Sequence, residues 1–203
     1  MGTGDERGGR DRGPIGILRA WRSVVTRPRR FFAANVSPGD QAPGLTFAAV
    51  VAAAFALGWM VADPSAVPGI AESTWLSSLV VLGVVFVLAA PVGLHLTAAV
   101  ATLSLILASL EYRGGVRFRD RGGVSETVQV VAYASAPMAL AGPPIPAVRI
   151  ACGTYATLLL LIGLRTVHGT TPVRTLVAGM PPALIGYGVA YRTVAAARSL
   201  FGW

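Results

Sequence analysis

Two histidines, one cysteine and nine carboxylates are the residues in this chain that could support acid–base, nucleophilic or metal chemistry. Their spacing supports none of it. His95 and His168 form no His-Glu-x-x-His pattern, and no carboxylate falls inside the long apolar stretches, so a zinc site is not expected. Cys152 stands alone, which excludes an intramolecular disulfide and a cysteine-based metal cage. No Gly-x-Ser-x-Gly elbow sets a serine beside either histidine, which argues against an intramembrane hydrolase. All seventeen basic residues are Arg, so chemistry that needs a lysine, such as a P-loop or a Schiff base, is closed to the chain. We therefore expect no enzyme, no catalytic or metal residue and no cofactor.

The polar residues that remain suggest binding. His95 lies about twenty residues into an apolar stretch, close to Pro91, and an ionisable group at that depth is a functional candidate. A neutral imidazole bonded to a backbone carbonyl near Pro91 accounts for it equally well. Arg19, Arg22, Arg29 and Arg30 before the first apolar stretch, and Arg117, Arg119 and Arg121 in a central loop, can bind anionic lipid headgroups or an acidic partner. The same residues also serve as orientation signals for membrane insertion. Nucleic acid is not expected, because only Tyr112 and Phe118 accompany the loop arginines as stacking residues. Glu126, behind Ser125 as N-cap, reads as a helix start, and His168 beside Gly169 as a helix end.

The elements that must position these residues are membrane spans. Five stretches run without a formal charge: Leu45–Ala62, Trp75–Leu110, Thr127–Val148, Ile150–Leu164 and Thr175–Tyr191. About 20 helical residues cross a 30 Å hydrocarbon core, so each reads as a transmembrane helix. A composition of 54% hydrophobic and 13% charged residues could hardly cover a water-soluble surface. With five crossings, fourteen of the seventeen arginines fall on one side, whereas a hairpin at 75–110 would leave eleven against six. The positive-inside rule thus predicts an all-α, five-span protein in the cell membrane, N-terminus cytoplasmic and C-terminus outside. Trp59 and Trp75 then mark the outer interface and Tyr112 the inner one. The second stretch is too long for the bilayer, and Pro91 is the expected kink if it is one helix rather than a hairpin.

Pro143–Pro144 and Pro181–Pro182 raise a small-solute or ion transporter as the alternative, since paired broken helices mark midplane sites. The two pairs lie at different depths, and no span carries Asp or Glu for ion coupling. The first pair reads as a turn and the second as a kink.

No cleavable signal is expected, because the first apolar stretch begins only at Leu45. Residues 1–14 read as a disordered tail. From Ile15, the residues Ile17, Leu18, Trp21, Val24 and Val25 recur at helical spacing while Arg19 and Arg22 fall elsewhere, which predicts a basic amphipathic helix at the membrane interface within a cytoplasmic segment 15–44. The apolar end of the second span, Leu103–Leu110, is expected to find its partner in this segment. Residues 45–192 form the membrane domain and 193–203 a short outer tail.

Residues 21–32, Trp-Arg-Ser-Val-Val-Thr-Arg-Pro-Arg-Arg-Phe-Phe, resemble the segment preceding the first span in the prokaryotic branch of the YIP-one domain family, the relatives of Ypt/Rab-interacting membrane proteins. His95 in a long second span, Gly122–Gly123, Thr127, Ala132–Pro137, Pro143–Pro146, Tyr155, Ile162–Leu164 and His168–Gly169 continue the likeness in order, from residue 16 to about 190. The resemblance implies five helical spans and a cytoplasmic N-terminus. Its eukaryotic members carry an Asp-Leu-Tyr-Gly-Pro motif and act in vesicle trafficking with Rab-type GTPases. That motif is absent here, so GTPase binding is not carried over. The expected function is a non-enzymatic scaffold or adaptor at the inner membrane face, with anionic lipids, a membrane or cytoplasmic protein, or a second copy of the chain as partners.

Overall fold

Prolines mark most of the helix starts. The structure is a computed structural model that describes residues 13–112, 116–118 and 123–202. Its helices are α1 (Pro14–Thr26), α2 (Pro28–Asn35), α3 (Ala42–Ala62), α4 (Thr74–Val84), α5 (Ala90–Ala108), α6 (Val124–Ala134), α7 (Pro146–His168), α8 (Pro172–Ala183) and α9 (Thr193–Phe201). In α1, α2, α3, α7 and α8 a proline occupies the first or second position, where its missing N–H would have had no partner in any case. At α4 the cap is a side chain: the Ser73 hydroxyl accepts the Leu76 N–H at 3.2 Å.

Three helices are long and apolar enough to cross a membrane: α3, the continuous α4–α5 rod Thr74–Ala108, and α7. The rod is a single helix of 35 residues, about 52 Å long. At Pro91, the expected kink, the helix widens into a π-turn over Val85–Ala89, immediately upstream of the ring. The proline ring crowds the carbonyl four residues before it and offers it no N–H, and loosening the preceding turn answers both problems. Most of the rod's apolar side chains are exposed, from Trp75 to Leu107.

The third apolar stretch is not one helix. It is α6, eleven residues long, followed by a 3₁₀ turn over Ala136–Leu140, and Pro143–Pro144 then separates it from α7. Pro137 cannot extend α6 in register, so the chain tightens after Ser135. Every side chain from Thr127 to Ala134 is buried, which makes α6 the central element, apolar on all sides because protein surrounds it on all sides. The fifth stretch is α8 followed by a π-helical segment over Leu184–Ala190, just past Pro181–Pro182.

The central loop contains an antiparallel pair, β1 (Leu110–Tyr112) with β2 (Val116–Phe118), in the register Glu111 opposite Arg117. Tyr112, Val116 and Phe118 are residue types that favour strands. The helix α5 packs chiefly on α8, α6 and α3, while α1 and α2 pack chiefly on each other and on α6, α7 and the 3₁₀ turn. Residues 193–201 form a helix laid against α7.

Candidate functional site

The α1–α2 hairpin carries the densest set of exposed basic side chains among the described residues. Its seat is aromatic. Phe31 and Phe32, both 1% exposed, point inward from α2, and Phe31 meets the Tyr133 ring edge to face at 4.9 Å. On its other side Tyr133 meets Phe47 of α3 at 5.1 Å. Such pairs add about 0.5–1.5 kcal/mol beyond the area they bury. Phe32 fits because Gly163 of α7 has no side chain: a Cβ there would lie 3.0 Å from Phe32 Cζ and 2.7 Å from Val130 Cγ1.

Polar contacts fix the hairpin's position. The Trp21 indole N–H donates to the Ala136 carbonyl at 2.8 Å, a carbonyl in the 3₁₀ turn, and the Tyr155 hydroxyl donates to the Val25 carbonyl. Beyond α2, the Gln129 side-chain amide donates to Ser37 O at 2.6 Å and accepts the Ser37 N–H at 3.3 Å. Ser125 was expected to cap α6. Its hydroxyl instead accepts the Gly39 N–H at 3.1 Å, the cap position belongs to Gly123, and Glu126 does lie in the first turn.

Within α1 the buried face is Gly16, Ala20 and Val24, one residue per turn, with Trp21 and Val25 half-buried beside it. The opposite stripe is Ile15, Leu18, Arg19 and Arg22, where Ile15 and Leu18 are 68% and 66% exposed. Arg27, Arg29 and Arg30 are exposed at the turn into α2. Leu18 was grouped with Ile17, Trp21, Val24 and Val25 on one apolar face meant for the membrane interface; Trp21, Val24 and Val25 pack on the protein instead, and Leu18 faces outward with the arginines. Arg27 was not singled out from the sequence, although Pro28 behind it marked the turn that displays it.

The remaining site residues lie elsewhere. Arg117 sits in β2, remote in sequence from the hairpin, while Arg119 and Arg121 lie outside the described residues. His95 points out of the bundle, its Nδ1 2.8 Å from the Pro91 carbonyl. His168 ends α7 but is buried, with Nε2 3.2 Å from the Thr127 hydroxyl of α6. No group of three His, Cys, Asp or Glu that could hold a metal occurs among the described residues.

One arginine was missed entirely. Arg149, one of the three arginines that the five-span count leaves on the outer side, is 6% exposed in α7, and its guanidinium donates to the carbonyls of Ala141 and Gly142 at 3.1 and 2.7 Å. These carbonyls are left open by the Pro143–Pro144 turn, which offers no N–H of its own. Trp59, read as an interface anchor, stacks under Arg149 at 5.2 Å and Arg192 at 4.7 Å.

Helices of this length with apolar side chains turned outward along 35 residues define an integral membrane protein of the helical class. The chain belongs to the Yip1 domain family, whose model matches residues 22–192 and thus takes in most of the hairpin and every candidate span. Neither curated proteins nor solved structures provide a match.

Proposed function

We propose that the protein is a non-enzymatic membrane scaffold whose α1–α2 hairpin gathers anionic lipid headgroups at the inner membrane face. The observation that carries this reading is the hairpin itself: five exposed arginines, Arg19, Arg22, Arg27, Arg29 and Arg30, on two short helices held against a rigid aromatic seat. Ile15 and Leu18 beside Arg19 and Arg22 give the outer stripe the mixed character suited to the headgroup boundary. Each arginine near an anionic leaflet adds about 1 kcal/mol. A protein with an acidic surface would use the same face.

The hairpin's height supports a further detail. Val25 meets Tyr155, which precedes the end of α7 at His168 by thirteen residues, about 20 Å of helix. With five spans and the N-terminus inside, α1 lies deep beside α7, while Phe32 against Gly163 sets α2 five residues, about 8 Å, from the inner end of α7, where Arg29 and Arg30 reach phosphates by extending their stems. The hairpin then acts as a wedge in the inner leaflet. A solute transporter is the competing reading, but the helices from Ala42 to Ala62, Thr74 to Ala108 and Pro146 to Ala190 contain no Asp or Glu for coupling.

Lipid retention tests the proposal. Protein purified in mild detergent from mixed phosphatidylglycerol and phosphatidylcholine should retain several anionic lipids preferentially, and Arg22, Arg29 and Arg30 all changed to Gln should lower the number retained. Equal retention of both lipids by the unaltered protein would refute it. Orientation is checked in a Cys152→Ala background, where a cysteine at Ser65 should react with an impermeant reagent from outside and one at Gly115 only after the membrane is opened.

A further inference from the structure

At the opposite end of the bundle, two cations share one indole. Arg149 and Arg192 both stack on Trp59, and no carboxylate among the described residues pairs with either. Arg149 spends two donors on backbone carbonyls, while Arg192 is exposed and adopts the left-handed conformation, with φ of 62°, a strained choice for a non-glycine residue. Two like charges held together without a counter-ion are a standing repulsion that an anion would relieve.

Trp59 is also one wall of a cavity of 320 Å³. This cavity lies between α3 and the π-turn of the α4–α5 rod, and its depth comes from small residues: Ala52 and Ala56 of α3 face Ala89, Ala90 and Gly93. Its lining is mainly apolar, with Thr97, Ser135, Tyr187 and Tyr191 as its polar members, its size is within the roughly 300–1,000 Å³ of ligand sites, and α3 and the rod are among the three helices long enough to span the membrane. An apolar slot in a spanning region, one wall of which is the indole that carries two arginines with no carboxylate partner among the described residues, matches one kind of occupant.

We propose that this slot is a binding site for a single anionic phospholipid, with one acyl chain between α3 and the rod and the headgroup phosphate against the exposed Arg192. Arg192 selects the headgroup, with the buried Arg149 adding to the local positive field, and the alanine-lined slot selects the chain. The site is distinct from the hairpin and lies at the C-terminal end of α3, whichever way the protein is oriented.

Native mass spectrometry of the full chain, titrated with dioleoyl phosphatidylglycerol, dioleoyl phosphatidylcholine and glycerol phosphate, tests the proposal. One phosphatidylglycerol should bind more tightly than phosphatidylcholine, and glycerol phosphate, which has no chain, should not bind. Arg192→Asn removes the charge while Asn tolerates the positive φ, so the fold is kept; it should weaken phosphatidylglycerol about fivefold and leave phosphatidylcholine unchanged. Ala52→Phe fills the slot and should weaken both lipids. Binding of glycerol phosphate as strong as that of the lipid would show a free-anion site and overturn the proposal. So would unchanged phosphatidylglycerol affinity in both variants, each confirmed folded by circular dichroism.

Discussion

The α1–α2 side of the molecule and the α4–α5 rod are both rich in apolar residues, and they spend them in opposite ways. On the hairpin side Phe31, Phe32, Ala20 and Val24 turn inward to Tyr133, Gly163 and the 3₁₀ turn, leaving arginines outside. On the rod Trp75, Leu79, Val87, Leu96, Leu103 and Leu107 are exposed. In water such a rod would be an aggregation surface; in lipid it needs no partner, because acyl chains are as apolar as leucine. Membrane exposure is thus decided by what surrounds an element, and hydropathy alone cannot separate a lipid-facing helix from a protein-enclosed one.

The sharpest way to break this comparison is to truncate one ring on each side. Phe31→Ala should cost about 3–5 kcal/mol, the range for a buried Phe, whereas Phe86→Ala, at 42% exposure in the rod, should stay within about 0.5 kcal/mol. Thermal unfolding in detergent reads both, and trypsin should cut after Arg29 and Arg30 faster in the first variant. Equal costs would mean that the two regions are not different in kind.

Two smaller changes probe the seat itself. Gly163→Ala forces Val130 and Phe32 apart and should destabilise by about 1–3 kcal/mol, in the range of overpacked cores. Gln129→Leu leaves the Ser37 backbone without its side-chain partners and should cost a comparable 1–3 kcal/mol, with faster hydrogen exchange at Ser37 and Gly39. If exchange there is unchanged, the linker is held by something other than Gln129.

The smallest effect belongs to the rod. His95 points away from the bundle and bonds its own helix, so His95→Gln should change stability by less than about 0.5 kcal/mol and leave lipid retention as it was. A loss of solute flux in vesicles, with the fold intact, would instead favour a transporter.

These contrasts mark where the sequence was readable. Charge-free runs located α3, the rod and α7 to within a few residues, since the bilayer dictates their length and apolarity in a way local sequence must display. The run 127–148 looked the same and is not, because central burial and lipid exposure both demand apolar residues; Pro137 was the signal that it would break. Trp21 was placed on the apolar side of α1 correctly, while Leu18 was not, since periodicity gives a face and not the width of the groove that receives it. Arg149 was illegible for a related reason: a charge beside Pro143–Pro144 reads as loop until the carbonyls it satisfies are seen in space.

The basic hairpin's preference for anionic headgroups is best measured by electron spin resonance in proteoliposomes, using headgroup-matched spin-labelled phosphatidylglycerol and phosphatidylcholine. The unaltered protein should immobilise a larger fraction of the phosphatidylglycerol label. That excess should shrink as salt rises and fall to no more than the single lipid assigned to the Trp59 slot when Arg22, Arg27, Arg29 and Arg30 are replaced by Gln, with Arg149 and Arg192 untouched. Equal immobilisation of the two labels by the unaltered protein, or an excess that the four replacements leave undiminished, would contradict the assignment of the α1–α2 face as the lipid-organising surface.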